Sequence, residues 1–346
     1  MTASKRIFSW IIISLVIQCS IYLYLNNFYF SPEGNIKVTK IDSVNKINKI
    51  KPNVTFTNTD KDISLSDDFT YTAYMSGGLV KIVDTTTGKE RKINFTKGIQ
   101  CLAYKWVPGT NRMIIAEKLN GSSGKIIKFF SYDADKQAKA EIYNYESKKE
   151  DAVTAGQSVD LQISELTGVL YAKVSYSSVL DRIYRIDRNE TLTRVSTVTR
   201  NIGNIAVASN DDQLVYEDLT YDRMRSNYTP QKTIILNGGV YRSSLLGSDN
   251  NDNFYIGVGK SQISKIYYGK LTENTSSWKE LYTGGLVNTN DVVISSDNNV
   301  YVVDKNQDTI TDIKDNKRNT FSGSFIELNN NSVVSKIGNK LTIKSF

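Results

Sequence analysis

The 346-residue chain contains no histidine, and this absence excludes more chemistry than any other feature of its composition. Ser-His-Asp and Cys-His catalytic arrangements cannot be built. Zinc sites that use imidazole are excluded too, and Cys19 and Cys101 lie too far apart in sequence to replace them. No side chain has an unperturbed pKa near 7, so a general acid or base must be a strongly shifted carboxylate or lysine. With only these two cysteines, no disulfide framework is implied. Proline occurs four times, which leaves little room for disordered linkers. A dominant charge sign is lacking as well: 43 basic residues stand against 36 acidic ones, a net charge of +7. The basic residues are scattered and form no stripe interleaved with stacking aromatics, so no nucleic-acid partner is expected.

What is present begins with an apolar run. Residues 7–25, from Ile7 to Leu25, carry no charge over 19 positions. As a helix this run would rise about 28 Å, close to the hydrocarbon thickness of a bilayer. Lys5 and Arg6 precede it, and no basic residue follows before Lys37. The positive-inside rule then predicts a cytosolic N-terminus (1–6), a single transmembrane anchor (7–25), an extracytoplasmic linker (26–53) and a domain outside the plasma membrane (54–346). Trp10 at one end and Tyr22, Tyr24 and Tyr29 at the other suit the two interfaces. A cleaved signal peptide would want small residues near Leu25. A lipoprotein would want a small residue before Cys19, where Gln18 stands. The stretch from 31 to 61 is rich in lysine (Lys37, Lys40, Lys46, Lys49, Lys51, Lys61). It reads as a solvated stalk or as a contact for anionic lipid or wall polymer.

Beyond residue 60 helical periodicity is rare, and short apolar or alternating runs are separated by polar turns. One turn recurs, a Ser, Asn or Asp cluster followed by an aromatic-led strand. It is seen at Ser66, Asp67 and Asp68, at Asn210 to Asp212, at Ser248 to Asn250 and at Ser296 to Asn299. Looser copies occur at Trp106 to Gly109, Glu165 to Gly168 and Asn329 to Asn331. A glycine precedes the strand before most of these turns: Gly98, Gly156, Gly203, Gly238, Gly284 and Gly323. Their intervals of 58, 47, 35, 46 and 39 residues average 45. A third marker is an Asp-led turn later in the unit, at Asp84, Asp133, Asp187 and Asp304. Such turns suit Asp because its carboxylate bonds nearby backbone amides. A period near 45 with about four strands per unit predicts an all-β fold, a β-propeller of seven blades, with six as the alternative. The last unit has only about three strands, and a strand near Val54 to Thr57 could complete it and close the ring.

The stretch from Trp106 through Pro108 and Gly109 to Ala116 resembles the Trp-x-Pro-x-Gly turn and strand of TolB-like propeller repeats. The Ser-Asp-Asp turns look like degenerate copies. This resemblance implies a propeller and a habit of binding partners, and it carries over no catalytic residue. Other local likenesses are weaker. Asp84 to Lys89 resembles the turn of quinone-cofactor propellers but lacks their docking tryptophan. Ser295 to Asn299 resembles a sialidase Asp-box with Asn in place of Gly. Ser122 and Lys125 have the Ser-x-x-Lys spacing without the helix it requires. No cofactor and no metal site is therefore expected.

The glycine-marked loops are expected to ring one mouth of the propeller channel. Gln100, Asp160, Asn204, Tyr241, Arg242, Asn290 and Asp291 follow those glycines and are the candidate binding residues. The functional expectation is a membrane-anchored, extracytoplasmic binding or scaffold module for a protein, peptide or cell-wall polymer. The alternative is a carboxylate-based carbohydrate hydrolase or lyase, for which two desolvated acids meeting in the funnel would be the mark. A structural subunit that pairs through its membrane helix is a third reading.

Overall fold

The computed structural model describes residues 3–24, 50–122, 124–144, 153–229, 232–236, 239, 242–296 and 298–346. It divides into two compact units, 1–42 and 43–346. In the first, helix α1 spans Ala3–Tyr24. Among the described residues, no helix is long and apolar enough to cross a membrane. Most of the 26–53 linker lies outside the described residues.

In the second unit each of the seven recurring turns reverses the chain between the first and second strands of a sheet. Blade one is β1 (Lys61–Leu65), β2 (Tyr71–Ser76), β3 (Leu79–Asp84) and β4 (Glu90–Arg91). Blade two is β5 (Gln100–Trp106), β6 (Arg112–Gly121), β7 (Gly124–Asp133) and β8 (Ala138–Glu141), and β9 (Val153–Thr154) also pairs with β7. Blade three is β10 (Ser158–Ile163), β11 (Leu170–Ser177), β12 (Leu180–Ile186) and β13 (Leu192–Arg194). Blade four is β14 (Ile202–Val207), β15 (Leu214–Asp218) and β16 (Arg223–Ser226), with an outer bridge from Arg225 to Thr233. Blade five is β17 (Ser243–Ser248), β18 (Phe254–Gly259), β19 (Gln262–Gly269) and β20 (Lys279–Asn288). Blade six is β21 (Val292–Ile294), β22 (Val300–Asp304), β23 (Thr309–Asp312) and β24 (Arg318–Thr320). Blade seven is β25 (Ser324–Asn329), β26 (Ser332–Ile337) and β27 (Lys340–Ser345). Each sheet is an antiparallel meander in chain order, and seven such sheets make a seven-blade β-propeller.

The second strands explain the aromatic-led runs. Both faces of a middle strand press against neighbouring blades, so burial is continuous rather than alternating. All five residues of β15 are buried, as are the first five of β2 and the first four of β18. The apolar core falls into seven clusters, one per blade interface. Tyr71 and Ile82 of blade one meet Met113 and Tyr132 of blade two. Around the ring, Val303 of blade six meets Val333 of blade seven, and Val334 and Leu341 of blade seven meet Leu65 and Tyr74 of blade one. Each large side chain buried in this way contributes about 1.5–3 kcal/mol.

The ring closes as the three-strand count of the last unit suggested. Thr55 pairs antiparallel with Lys340. The Phe56 N–H donates to the Asn339 carbonyl at 2.8 Å and the Leu341 N–H to the Val54 carbonyl at 3.1 Å. Val54 and Phe56 are buried against blade seven and blade one. The N-terminal segment thus covers the edge of β27 that would otherwise be open to another strand.

The third marker divides. Asp84, Asp133 and Asp187 head the turns between third and fourth strands, where their carboxylates accept backbone amides, as Asp84 does from Thr86 and Thr87 at 3.1 and 2.8 Å. Asp304 instead heads the turn between β22 and β23. The equivalent of the other three in blade six is Asp312, which accepts from the Lys314 N–H at 2.8 Å.

Candidate functional site

The first strand of each blade lines the propeller axis, and in several blades it is irregular. Register breaks interrupt the pairing of β1, β5, β14, β17 and β25 with their partners. A bulge frees backbone amides from the ladder, and carboxylates take some of them. Glu217 accepts the Leu245 N–H of the next blade at 2.6 Å and the Asn204 N–H of its own at 3.1 Å. Gly203 makes room for it, since a Cβ there would stand 2.0 Å from Glu217 Oε2. Asp181 likewise accepts the Ile202 N–H at 2.9 Å.

Two cavities lie among these strands. The first, about 640 Å³, is bounded by β1, β5, β10 and β25 and by the turns after the first strands. Its ionisable lining groups are Asp67, Lys105, Asp160, Glu165 and Glu327. Tyr104, Trp106, Leu65 and Leu161 supply apolar wall, and Asn250, Ser295, Ser296 and Asn330 line the turn end. The second, about 430 Å³, is lined by Asp160, Gln162, Asn204 and apolar residues of β17 and β21. Asp160 borders both.

Lys105 on β5 donates to Gln162 Oε1 at 2.8 Å, and Gln162 Nε2 donates to Asp160 Oδ1 at 3.1 Å. Burial pushes the Lys105 ammonium down, and the nearby Asp160 charge pulls the other way. Glu327 on β25 accepts the Leu65 N–H at 2.9 Å. Burial raises its carboxyl to about 7, reinforced by the neighbouring Asp67 charge and opposed by the Leu65 hydrogen bond. Asp67 is also pushed up by burial, although the Gly109 N–H donates to its Oδ2 at 2.5 Å. Tyr104 donates to the Ala73 carbonyl at 2.9 Å and also contacts the Asp62 carbonyl. Burial raises its phenol far above the usual range. Two carboxyls held above their normal pKa therefore face one cavity. A chain without histidine can hold a protonated acid at neutral pH in this way.

The sequence candidates separate in space. Asp160 and Asn204 line the cavities, and Asn204 Nδ2 donates to the Leu245 carbonyl at 3.3 Å. Gln100 is exposed at the start of β5, six residues before Trp106, which at 3.3 Å per residue is about 20 Å of extended chain. Arg242 is 73% exposed and pairs with Asp222 at 3.3 Å. Asp291 pairs with Lys305 at 2.7 Å and Asn290 offers its carbonyl to the same ammonium at 3.4 Å. Tyr241 lies outside the described residues. The structure thus brings Asp160 together with Lys105, Asp67 and Glu327 in the first cavity and with Gln162 and Asn204 in the second; of these, Lys105, Gln162, Asp67 and Glu327 are not site candidates from sequence. Lys105, Gln162 and Glu327 are polar residues on first strands, and Asp67 belongs to the turn after one.

Among the described residues, no group of three or more Cys, Asp or Glu is placed to hold a metal ion. The Asp249 carboxylate is taken up locally by the Asn251 and Asn253 amides and the Tyr255 hydroxyl. Asp84 to Lys89 forms the hairpin between β3 and β4, and Ser122 and Lys125 flank the turn between β6 and β7.

No protein-family model matches the chain, and no curated protein matches it. Among solved structures it is similar to a prolyl endopeptidase from a study of two such enzymes. The TM-score is 0.51 and the identity 11%, over 84% of this chain and 47% of that one. The chain spans about half the length of that protein. At this identity the likeness shows the propeller fold alone.

Proposed function

We propose that the chain is a binding module whose axial cavity receives a partner group. The observation that supports this is the convergence of charged and amide side chains from separate blades on one cavity of about 640 Å³. Concave sites of this size with a few placed polar groups are the usual form of a ligand site. The resemblance of the Trp106 to Ala116 segment to TolB-like repeats, whose habit is partner binding, agrees with it. We further propose that residues 7–25 anchor the module in a plasma membrane with the propeller outside, on the strength of the uncharged 19-residue run and the basic pair before it. The partner is then a protein, peptide or wall polymer.

The experiment compares what co-purifies with the full chain and with a Ser296→Trp, Asn329→Trp variant, which narrows the turn end of the cavity. Ser296 is exposed, so its replacement leaves the core intact. Equal retention of every partner by both proteins would sink the cavity reading. Release of the full chain from membranes by alkaline carbonate would sink the anchor.

A second reading is an acid-dependent carbohydrate hydrolase or lyase, favoured by the two raised carboxyls, Asp67 and Glu327, in the same cavity. Glu327, with its pKa near 7, could then serve as proton donor. New reducing ends from wall polysaccharide, lost on Glu327→Gln, would support it.

A further inference from the structure

The cavity contains four acids and one base. The base is already engaged. Lys105 reaches Asp160 through Gln162 and offsets that carboxylate. Asp67, Glu165 and Glu327 have no cation beside them within the lining. Glu327 Oε1 accepts Leu65, while Oε2 has no hydrogen-bond partner among the described residues. Asp67 uses Oδ2 toward Gly109, and Oδ1 has no such partner among the described residues. Among the described residues, Glu165 has only a long hydrogen bond from the Ser209 hydroxyl, 3.4 Å. Glu327 and Asp67 are half-buried, so their second oxygens face cavity water, which a bound positive charge can displace while offsetting the excess of carboxyls.

The rest of the lining suits one kind of cation. Tyr104 and Trp106 present aromatic surface, and Leu65 and Leu161 present aliphatic surface. These favour an alkyl chain and an ammonium or guanidinium head over a small hydrated ion. The turn end adds the Asn250, Asn329 and Asn330 amides and the Ser295 and Ser296 hydroxyls, which can accept from a second amino group. An anionic ligand would meet three uncompensated carboxyls.

Building on the reading of this cavity as a binding site, we propose that it takes a linear organic cation, with Glu327 and Asp67 as its anionic partners. The group is an alkylammonium or guanidinium, presented as a lysine or arginine side chain of a partner peptide or as a free polyamine. Binding at neutral pH would draw a proton off Glu327, whose raised carboxyl holds part of its proton there.

The test is calorimetric titration of the purified full chain with spermidine, a blocked lysine tripeptide, its Nε-acetyl counterpart, glutarate and a neutral disaccharide. The expected result is binding of the cations, with the acetylated peptide at least about tenfold weaker. Glu327→Gln and, separately, Asp67→Asn should each weaken cation binding by about tenfold. Both variants are checked for folding by circular dichroism, so a folding failure in one leaves the other. The apparent enthalpy at pH 7 should vary with the ionisation heat of the buffer in the wild type and not in Glu327→Gln. Spermidine binding alone points to a free amine, and tighter binding of the lysine peptide points to a partner chain. Equal affinity for the lysine and acetyl-lysine peptides overturns the proposal, as does binding untouched by both variants. Glutarate or disaccharide binding that is lost in the Ser296→Trp, Asn329→Trp protein, without amine binding, overturns the cation and leaves the cavity as a site. No binding by any probe overturns the cation as well.

Discussion

Glu327 accepts the backbone N–H of Leu65 at 2.9 Å, so a carboxyl from the last blade supports the first strand of the first. The contact spans 262 positions of sequence and lies beside the seam where the ring closes. It is made by a group that burial holds near pKa 7, against an ordinary glutamate value of about 4.5.

The pH dependence follows from that shift. The folded pKa is raised, so the folded state holds the proton more tightly than the unfolded chain. Stability from this group is therefore greatest below the unfolded pKa. It declines as pH climbs toward 7 and is level above it. The decline amounts to up to about 3 kcal/mol. Glu327→Gln should remove this slope, so the variant gains on the wild type between pH 5 and 8.5. Urea midpoints at the two pH values check it, and parallel pH profiles for the two proteins would refute the assignment.

Gly203→Ala places a methyl group 2.0 Å from Glu217 Oε2 and must push that carboxylate off the Leu245 and Asn204 amides. The expected cost is about 2–4 kcal/mol, from strain and unsatisfied amides. Glu217→Ala should cost a similar amount, and the double variant little more than either alone. A double-mutant cycle by denaturant unfolding measures this, and additive effects would contradict the shared mechanism.

Phe56 is 2% exposed and packs edge-on against Tyr74 at 5.3 Å between ring centroids. Phe56→Ala should cost about 3–5 kcal/mol. Removing residues up to 57 should also uncover the edge of β27 and produce dimers or larger species by strand pairing. Light scattering after size exclusion detects this, and a stable monomer would show that the seam is held elsewhere.

Asp212 ties blades three and four together. It accepts Arg185 at 2.6 and 2.8 Å and the Tyr171 hydroxyl at 2.5 Å, and these partners hold its carboxyl below the usual range despite its partial burial. Asp212→Ala leaves Arg185 and the buried Tyr171 hydroxyl short of a partner and should cost about 2–4 kcal/mol. Tyr171→Phe, which removes the hydroxyl that donates to Asp212 and accepts from Asn227 Nδ2 at 3.0 Å, should cost about 1–2 kcal/mol. A larger loss from Tyr171→Phe than from Asp212→Ala would contradict this ranking.

Seven polar turns, read without any structure, fall on the seven reversals between first and second strands. They were legible because a turn is a local event: Ser, Asn and Asp bond amides two or three residues away. The closing strand was legible because a unit with a missing strand must find one. Chemistry without histidine was settled by composition. Asp304 and Asp312 both head Asp-led turns, and only strand pairing tells which hairpin each one closes. The axial cavity was not legible. Lys105, Gln162, Asp67 and Glu327 sit on strands and turns of four different blades and become neighbours only when the ring forms. The shifted pKa values of Lys105, Asp67 and Glu327 are properties of that shared enclosure, which no window of sequence contains. The sequence by itself determined the repeating all-β plan, the position of the turns and the groups available for chemistry, while seven rather than six blades was decided by the structure. Only the tertiary structure decided which of those groups meet, because the contacts that bring them together are long-range.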